Sequence, residues 1–263
     1  MNPFLPVDDP DDPRLADYRH TRDRDLASEG GRFVAESELV VRRLLTSPLI
    51  THSVLATPTR LATLADALAR ATCPVYVATQ TVLDAIAGFH VHRGCLAIGQ
   101  RPVEARIPAE VRTVLVLEDL VSADNLGASA RNAAAFGVDA LVLSPRCADP
   151  FYRKAVRVSI GAVFQLPVVV CAGWPGDLAA LKTAGFQLYG AVLDDRAVPL
   201  PAVRRAEKVA LLLGTEGPGL SAVARAACDH LITIPMAPGA DSLNVATAGA
   251  VMLYHLQQSV RAS

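Results

Sequence analysis

Five polar side chains stand where apolar segments break off: Asn125, Arg131, Glu216, Ser242 and Asn244. An apolar strand at 211–213 ends in Gly214-Thr215-Glu216-Gly217-Pro218-Gly219, and a second ends in Ile234-Pro235-Met236. Ser242-Leu243-Asn244 then opens an Ala-rich segment with helical character. Strands that stop at glycine, proline and isolated polar groups point to a ligand crevice at one edge of a parallel sheet. Glycine, lacking a Cβ, lets backbone N–H and C=O groups come close to a ligand.

Each residue also has a plainer reading. Asn125 can cap a helix whose early residues, Gly127, Ala128 and Ala130, are small. Ser242 can be an N-cap in competition with Asp241, which puts Asn244 in a first turn. Glu216 can be a carboxylate favoured by a helix dipole. Arg131 is harder to dismiss, because it interrupts an otherwise small and apolar helix from Ala130 to Gly137.

Several chemistries lack their signatures. The 214–219 loop has no Gly-Lys-Ser/Thr ending, so it is not a P-loop, and it is neither G-x-G-x-x-G nor placed after the first strand. No serine sits in G-x-S-x-G. Cysteines at 73, 95, 147, 171 and 228 form no C-x-x-C pair, which suggests reduced core thiols and no metal site. His52, His90, His92, His230 and His255 are scattered and read as structural or exposed, and Trp174 reads as a loop anchor.

The elements that must hold these groups alternate. An arm over 1–30, rich in Pro, Asp and Arg, precedes a small α/β unit over 31–105. That unit has helices near 36–45, 59–71 and 81–86 and strands near 53–56, 75–77 and 94–98. A lapse in apolar pattern through Arg101-Pro102, Glu104, Arg106 and Pro108 marks a linker. From 106 to 263 the alternation resumes, with strands expected near 113–117, 140–143, 166–170, 187–192, 209–213 and 231–234. The helices between them are expected near 126–136, 153–159, 177–184, 220–227 and 242–258. Continuous apolar strands between helices predict a parallel sheet covered on both faces.

The 263 residues are 51% apolar and 19% charged, with formal net charge −1, a globular composition without an overall basic signature for nucleic acid. An acidic N-terminus (Asp8, Asp9, Asp11, Asp12) is unlike a signal peptide, and no apolar run reaches the roughly 18–20 residues of a membrane span. A cytoplasmic location without membrane or metal partners is the expectation.

Three ordered segments resemble the signature motifs of the SpoU/TrmH branch of the SPOUT RNA methyltransferases. They are Asn125-Leu126-Gly127 with Arg131; Leu212-Leu213-Gly214-Thr215-Glu216-Gly217 with Gly219-Leu220-Ser221; and Ile234-Pro235-Met236 with Ser242-Leu243-Asn244. A further segment, Ser159 to Phe164 with Leu166-Pro167-Val168, resembles the stretch between the first two. The resemblance covers about 112–258, and the unit from Arg32 to Ala97 is similar to a ribosomal-protein-like substrate-binding domain.

The resemblance implies an α/β fold with a C-terminal parallel-sheet domain, a deep trefoil knot and a homodimer. It implies methyl transfer from S-adenosylmethionine to a ribose 2′-hydroxyl of RNA, with rRNA favoured over tRNA. It assigns Arg131, Asn125, Glu216, Ser242 and Asn244 to the catalytic centre. Leu213, Gly214, Thr215, Gly217, Ile234, Pro235, Met236, Ser242 and Leu243 would surround the cofactor. Arginine, with a pKa above about 12, is a poor base, so phosphate binding and stabilisation of a developing alkoxide suit Arg131 better than proton removal. Two positions depart from the family pattern: Ser122-Ala123 stands where Asp-Pro is common, and Asn132 where Thr is common. The alternatives are a catalytically silent RNA-binding or ribosome-assembly factor on the same fold, and a doubly wound nucleotide enzyme.

Overall fold

The computed structural model describes residues 4–19, 26–27, 31–88, 91, 94–102, 107–108 and 110–261. His90, His92, Glu104 and Arg106 lie outside them. Two compact units emerge, one of Met1–Val103 with Phe151–Gln165 and one of Glu104–Pro150 with Leu166–Ser263.

In the first unit a mixed sheet has the order β1-β4-β3-β5-β2, formed by β1 (Phe4–Pro6), β2 (Arg32–Glu36), β3 (Thr51–Ala56), β4 (Val75–Val77) and β5 (Cys95–Gln100). Here the structure departs from the expected arm. Phe4–Pro6 pairs in parallel with Val75–Val77, and Val7, Leu15, Tyr18 and Leu26 are buried in this unit's core. Tyr18 also bonds Ser53 through its hydroxyl at 2.7 Å. A three-residue strand among prolines has too few positions to show a period, so only its partner strand reveals it. The helices are α1 (Glu38–Leu45), α2 (Pro58–Thr63), α3 (Ala65–Leu68) and α4 (Gln80–Ala87). The single helix expected over 59–71 is thus two short ones, interrupted at Leu64.

The segment 151–165 belongs with this unit although the sequence placed it with the second. Phe151 and Phe164 each sit 5.2 Å from Phe33, ring to ring, and Arg43 Nη1 donates to Ile160 O at 2.7 Å. Its helix α6 (Arg153–Val158) therefore carries Arg153, Lys154 and Arg157 in the first unit.

The second unit holds a seven-stranded sheet in the order β10-β12-β9-β11-β6-β7-β8, every pair parallel. Its strands are β6 (Thr113–Leu117), β7 (Ala140–Leu143), β8 (Val168–Val170), β9 (Gln187–Ala191), β10 (Val198–Pro199), β11 (Val209–Leu213) and β12 (His230–Thr233). Every residue of β6, β7 and β11 is buried, as expected of apolar strands covered on both faces. Helices α5 (Ala123–Ala135), α7 (Asp177–Thr183), α8 (Ala222–Ala227) and α9 (Val245–Arg261) connect and flank it. This order sets β12, β9 and β11 side by side, so the segments leaving their C-terminal ends meet along one edge.

Candidate active site at the strand ends

The cap of α5 is Ser122, not Asn125: the Ser122 hydroxyl accepts from Asn125 N at 3.4 Å. Serine is a good N-cap acceptor, as aspartate is, so Ser122 supplies a cap at the position where the family commonly has aspartate. With the cap supplied elsewhere, the Asn125 side chain is available for the site.

At α9 the roles are also exchanged. Asn244 is the capping residue, its Oδ1 accepting from Ala246 N at 2.9 Å and Thr247 N at 3.3 Å, while Ser242 stands two residues earlier. Capping fixes the Asn244 amide so that Nδ2 faces outward. It donates to Asn125 Oδ1 at 2.9 Å and to Glu216 Oε1 at 3.3 Å. Asn125 Nδ2 donates to the same Glu216 Oε1 at 2.6 Å. Three residues far apart in the chain thus close one triangle of amides and carboxylate. No cation pairs with Glu216 among the described residues, and both bonds converge on Oε1.

Arg131 is not brought into this triangle. It is exposed, six residues beyond Asn125 on α5, which places it about 9 Å along the axis and about 120° around it. It makes no hydrogen bond or ion pair with the described residues.

Gly214 begins the loop after β11, and its lack of a side chain serves the loop itself. A Cβ there would lie 2.1 Å from Gly219 C and 2.3 Å from Leu220 N. The close approach seen here is to the chain's own backbone. Thr215 and Gly219 form a bridge, with Gly219 N donating to Thr215 O at 3.1 Å, and Gly217 takes φ +82° at the tip.

Both ends of this loop are tied to Glu118, which the sequence did not single out. Its backbone N–H donates to Leu213 O at 2.9 Å. Its carboxylate accepts from Ser221 N at 2.8 Å, from Ser221 Oγ at 2.7 Å and from Trp174 Nε1 at 2.9 Å. Ser221 Oγ in turn caps α8 by accepting from Ala224 N at 3.1 Å. Glu118 is 3% exposed, so a buried carboxylate is satisfied by three donors. A charge ending an apolar strand is its signal in the sequence.

The three strand ends enclose a cavity of about 410 Å³, within the usual range for small-molecule sites. Leu213, Gly214, Thr215, Glu216, Gly217, Ile234, Met236, Ser242, Leu243 and Asn244 all line it. Pro235 lies between two lining residues and is not itself among them, and Asn125 reaches the cavity through Glu216. The sequence missed the contributions of Ala191 at the end of β9 and of Val192 and Leu193 after it, of Arg225, and of Ala248 and Met252 on α9. Only the neighbouring position of β9 in the sheet could have revealed the first of these.

The remaining candidates lie elsewhere. His52 bonds Gln100 Oε1 at 2.7 Å, His230 bonds Gln187 Oε1 at 3.2 Å and His255 bonds Val203 O at 3.1 Å. Cys73, Cys95 and Cys171 are buried, and burial pushes the Cys171 thiol up to about 12 and that of Cys228 to about 11. Among the described residues no group of His, Cys, Asp and Glu is arranged to hold a metal ion, and no helix is long and apolar enough to cross a membrane.

A model of the SpoU rRNA Methylase family matches residues 112–254, the stretch that contains the cavity and the triangle. The chain belongs to this family. As a SpoU methylase it is 44% identical over 263 residues to a Mycobacterium tuberculosis protein named an uncharacterized tRNA/rRNA methyltransferase, covering 96% of this chain and 91% of the relative. It is 30% identical over 245 residues to the 23S rRNA (guanosine(2553)-2′-O)-methyltransferase RlmP of Bacillus subtilis, covering 93% of this chain and 96% of RlmP. Among solved structures it is similar to the SpoU methyltransferase AviRb of Streptomyces viridochromogenes in complex with AdoMet. There the TM-score is 0.78 at 25% identity, with 95% of this chain and 97% of AviRb covered.

Proposed function

We propose that this SpoU methylase transfers a methyl group from S-adenosylmethionine to a ribose 2′-hydroxyl of RNA. The observation that carries the proposal is the Asn125–Glu216–Asn244 triangle at a cavity lined by the family's motifs. The relative RlmP, by its name, acts on a 2′-oxygen of 23S rRNA, and AviRb was solved with AdoMet. Ribosomal RNA is accordingly favoured over tRNA as substrate, with the first unit as its binding domain.

The cavity suits this cofactor by its volume and by the exposed backbone of the 214–219 loop. S-adenosylmethionine, when bound, supplies an electrophilic methyl group on a sulfonium. The chain's residues must then align an in-line attack and help the hydroxyl lose its proton. Asn125 and Asn244 hold Glu216 through Oε1, which leaves Oε2 to accept a hydrogen bond from the 2′-hydroxyl and aim its oxygen. Arg131 binds the adjacent phosphate and stabilises the developing negative charge on O2′. Ser242, at the cavity wall, orients ribose or cofactor.

A knot at the C-terminal edge and a homodimer complete the reading. Strand β12 is inserted between β9 and β10, which follow one another in sequence, so the later chain has to pass the 192–197 connection. That arrangement supports a trefoil. On α9, Val251 is 39% and Tyr254 56% exposed, and Phe136 meets Tyr254 edge-on, an apolar face suited to a second copy. Arg131 stands on α5, which packs against α9 through Asn132 Nδ2 and Ala246 O at 2.8 Å.

The test is to incubate purified protein with labelled S-adenosylmethionine and ribosomal RNA, then digest to nucleosides. Label on 2′-O-methylated nucleosides supports the proposal, and label on a base overturns it. RNA binding without cofactor binding would favour the silent assembly factor.

A further inference from the structure

We infer that Arg225 is a cofactor-binding residue that recognises the carboxylate of S-adenosylmethionine, with Asp194 as its strut. The inference rests on the reading of the cavity as the cofactor site. Among the residues lining the cavity only Glu216 and Arg225 carry a formal charge. They come from different elements: Glu216 from the loop after β11, and Arg225 from α8.

Arg225 is not a loose surface cation. Its Nη2 donates to Asp194 Oδ2 at 3.2 Å, and its side chain is 38% exposed while that of Asp194 is 17% exposed. Asp194 follows Leu193, which itself lines the cavity. The same carboxylate is also claimed by Arg196, through its backbone N at 3.0 Å, its Nε at 3.1 Å and its Nη2 at 3.1 Å. These bonds, first the side-chain pair with Arg196, hold the Asp194 carboxyl down at about 2, so it is ionised near neutral pH.

The charge balance decides what Arg225 offers. One carboxylate shared by two guanidinium groups leaves the Asp194–Arg196–Arg225 cluster with a net charge of about +1. Arg225 spends one donor on Asp194 and keeps others for a ligand, since a guanidinium carries about five N–H donors. Glu216 is held by two neutral amides and by no cation among the described residues. The cavity therefore presents one anionic and one cationic wall. The cofactor has the complementary pattern, a cationic sulfonium beside the transferring methyl and an anionic carboxylate at the end of its amino-acid arm. Glu216 at the reaction triangle suits the sulfonium, and the same logic drives the carboxylate from Glu216 toward Arg225.

An anchor on the carboxylate acts equally before and after methyl transfer, so it supports binding and leaves the chemical step alone. Arg225→Met should raise the KM for S-adenosylmethionine, and the Kd for S-adenosylhomocysteine, by about ten- to a hundredfold with kcat unchanged. Decarboxylated S-adenosylmethionine is the discriminating probe. Its affinity for wild-type protein should be low and should not fall further in Arg225→Met, as measured by calorimetry. Arg225→Lys should restore part of the S-adenosylhomocysteine affinity, and melting temperatures should show that each variant is folded.

Equal losses for both ligands would overturn the inference, because Arg225 would then face the adenosine. Unchanged cofactor affinity with a raised KM for RNA would overturn it in favour of a phosphate contact. Wild-type protein that binds neither ligand would instead sink the cofactor reading on which the inference depends.

Discussion

Asn244 donates a hydrogen bond of 2.9 Å to Asn125 while its own carbonyl oxygen caps the last helix. One side chain thus ends a loop structurally and closes the reaction triangle. The two jobs use different atoms, so they can be separated. Asn244→Asp keeps the acceptor for the cap but sets a second carboxylate against Glu216. Activity should fall on the order of a hundredfold, while Asn244→Ala should lose activity and also about 1 kcal/mol of stability. Methyl transfer assays and urea unfolding check both, and an active Asn244→Asp protein would refute the arrangement.

Arg131 makes no hydrogen bond or ion pair with a described residue and is exposed, so its removal should be silent in stability. Arg131→Ala is expected to change unfolding free energy by less than about 0.5 kcal/mol. Methyl transfer should nevertheless drop on the order of a hundredfold or more, since a cation near developing charge is lost. Full activity in this variant would remove Arg131 from the mechanism.

Glu118 should matter through the loop it tethers. Glu118→Ala leaves the donors of Ser221 and Trp174 without their buried acceptor, at a cost of about 3 kcal/mol. Cofactor affinity should weaken with it, because both ends of the 214–219 loop are released. A melting curve and a cofactor titration unchanged from wild type would contradict this role.

Gly214→Ala places a methyl group where Gly219 backbone already stands. The loop must open, so cofactor affinity should fall at least tenfold, with a stability cost of about 1–3 kcal/mol. Gly137→Ala, whose added Cβ meets no atom within 4 Å but whose φ is +72°, serves as a control for strain away from the cavity.

Proton linkage gives a fifth measurable sign. The Asp194 carboxyl is lowered in the folded chain from 3.8 to about 2, chiefly by its side-chain bond to Arg196. Its contribution to stability is therefore present above about pH 4 and lost as the pH falls toward about 2. Asp194→Asn should flatten part of the acid unfolding curve in that window and leave the curve near neutrality unchanged in shape. For Cys171 and Cys228, held up near 12 and 11 by burial, alkylation of the native protein near neutral pH should be slow.

The sequence by itself determined the second unit's alternation and the identity of most groups around its cavity. Strands 113–117, 140–143 and 209–213 are legible because each is a short apolar run buried on both faces. The loops after the last two are legible because Pro145 and Gly214 mark where the strands stop, and the first ends at the charge of Glu118. What only the tertiary structure decided is how these loops are joined. Which of Ser122 and Asn125 caps a helix depends on backbone geometry that composition does not specify, and the same holds for Ser242 and Asn244. Glu118 acquires its role from Ser221, distant in the chain, and β9 acquires its part in the cavity from lying between β12 and β11. Local sequence carries propensity and period, whereas hydrogen-bond partners across a sheet are fixed by strand order, a property of the whole chain.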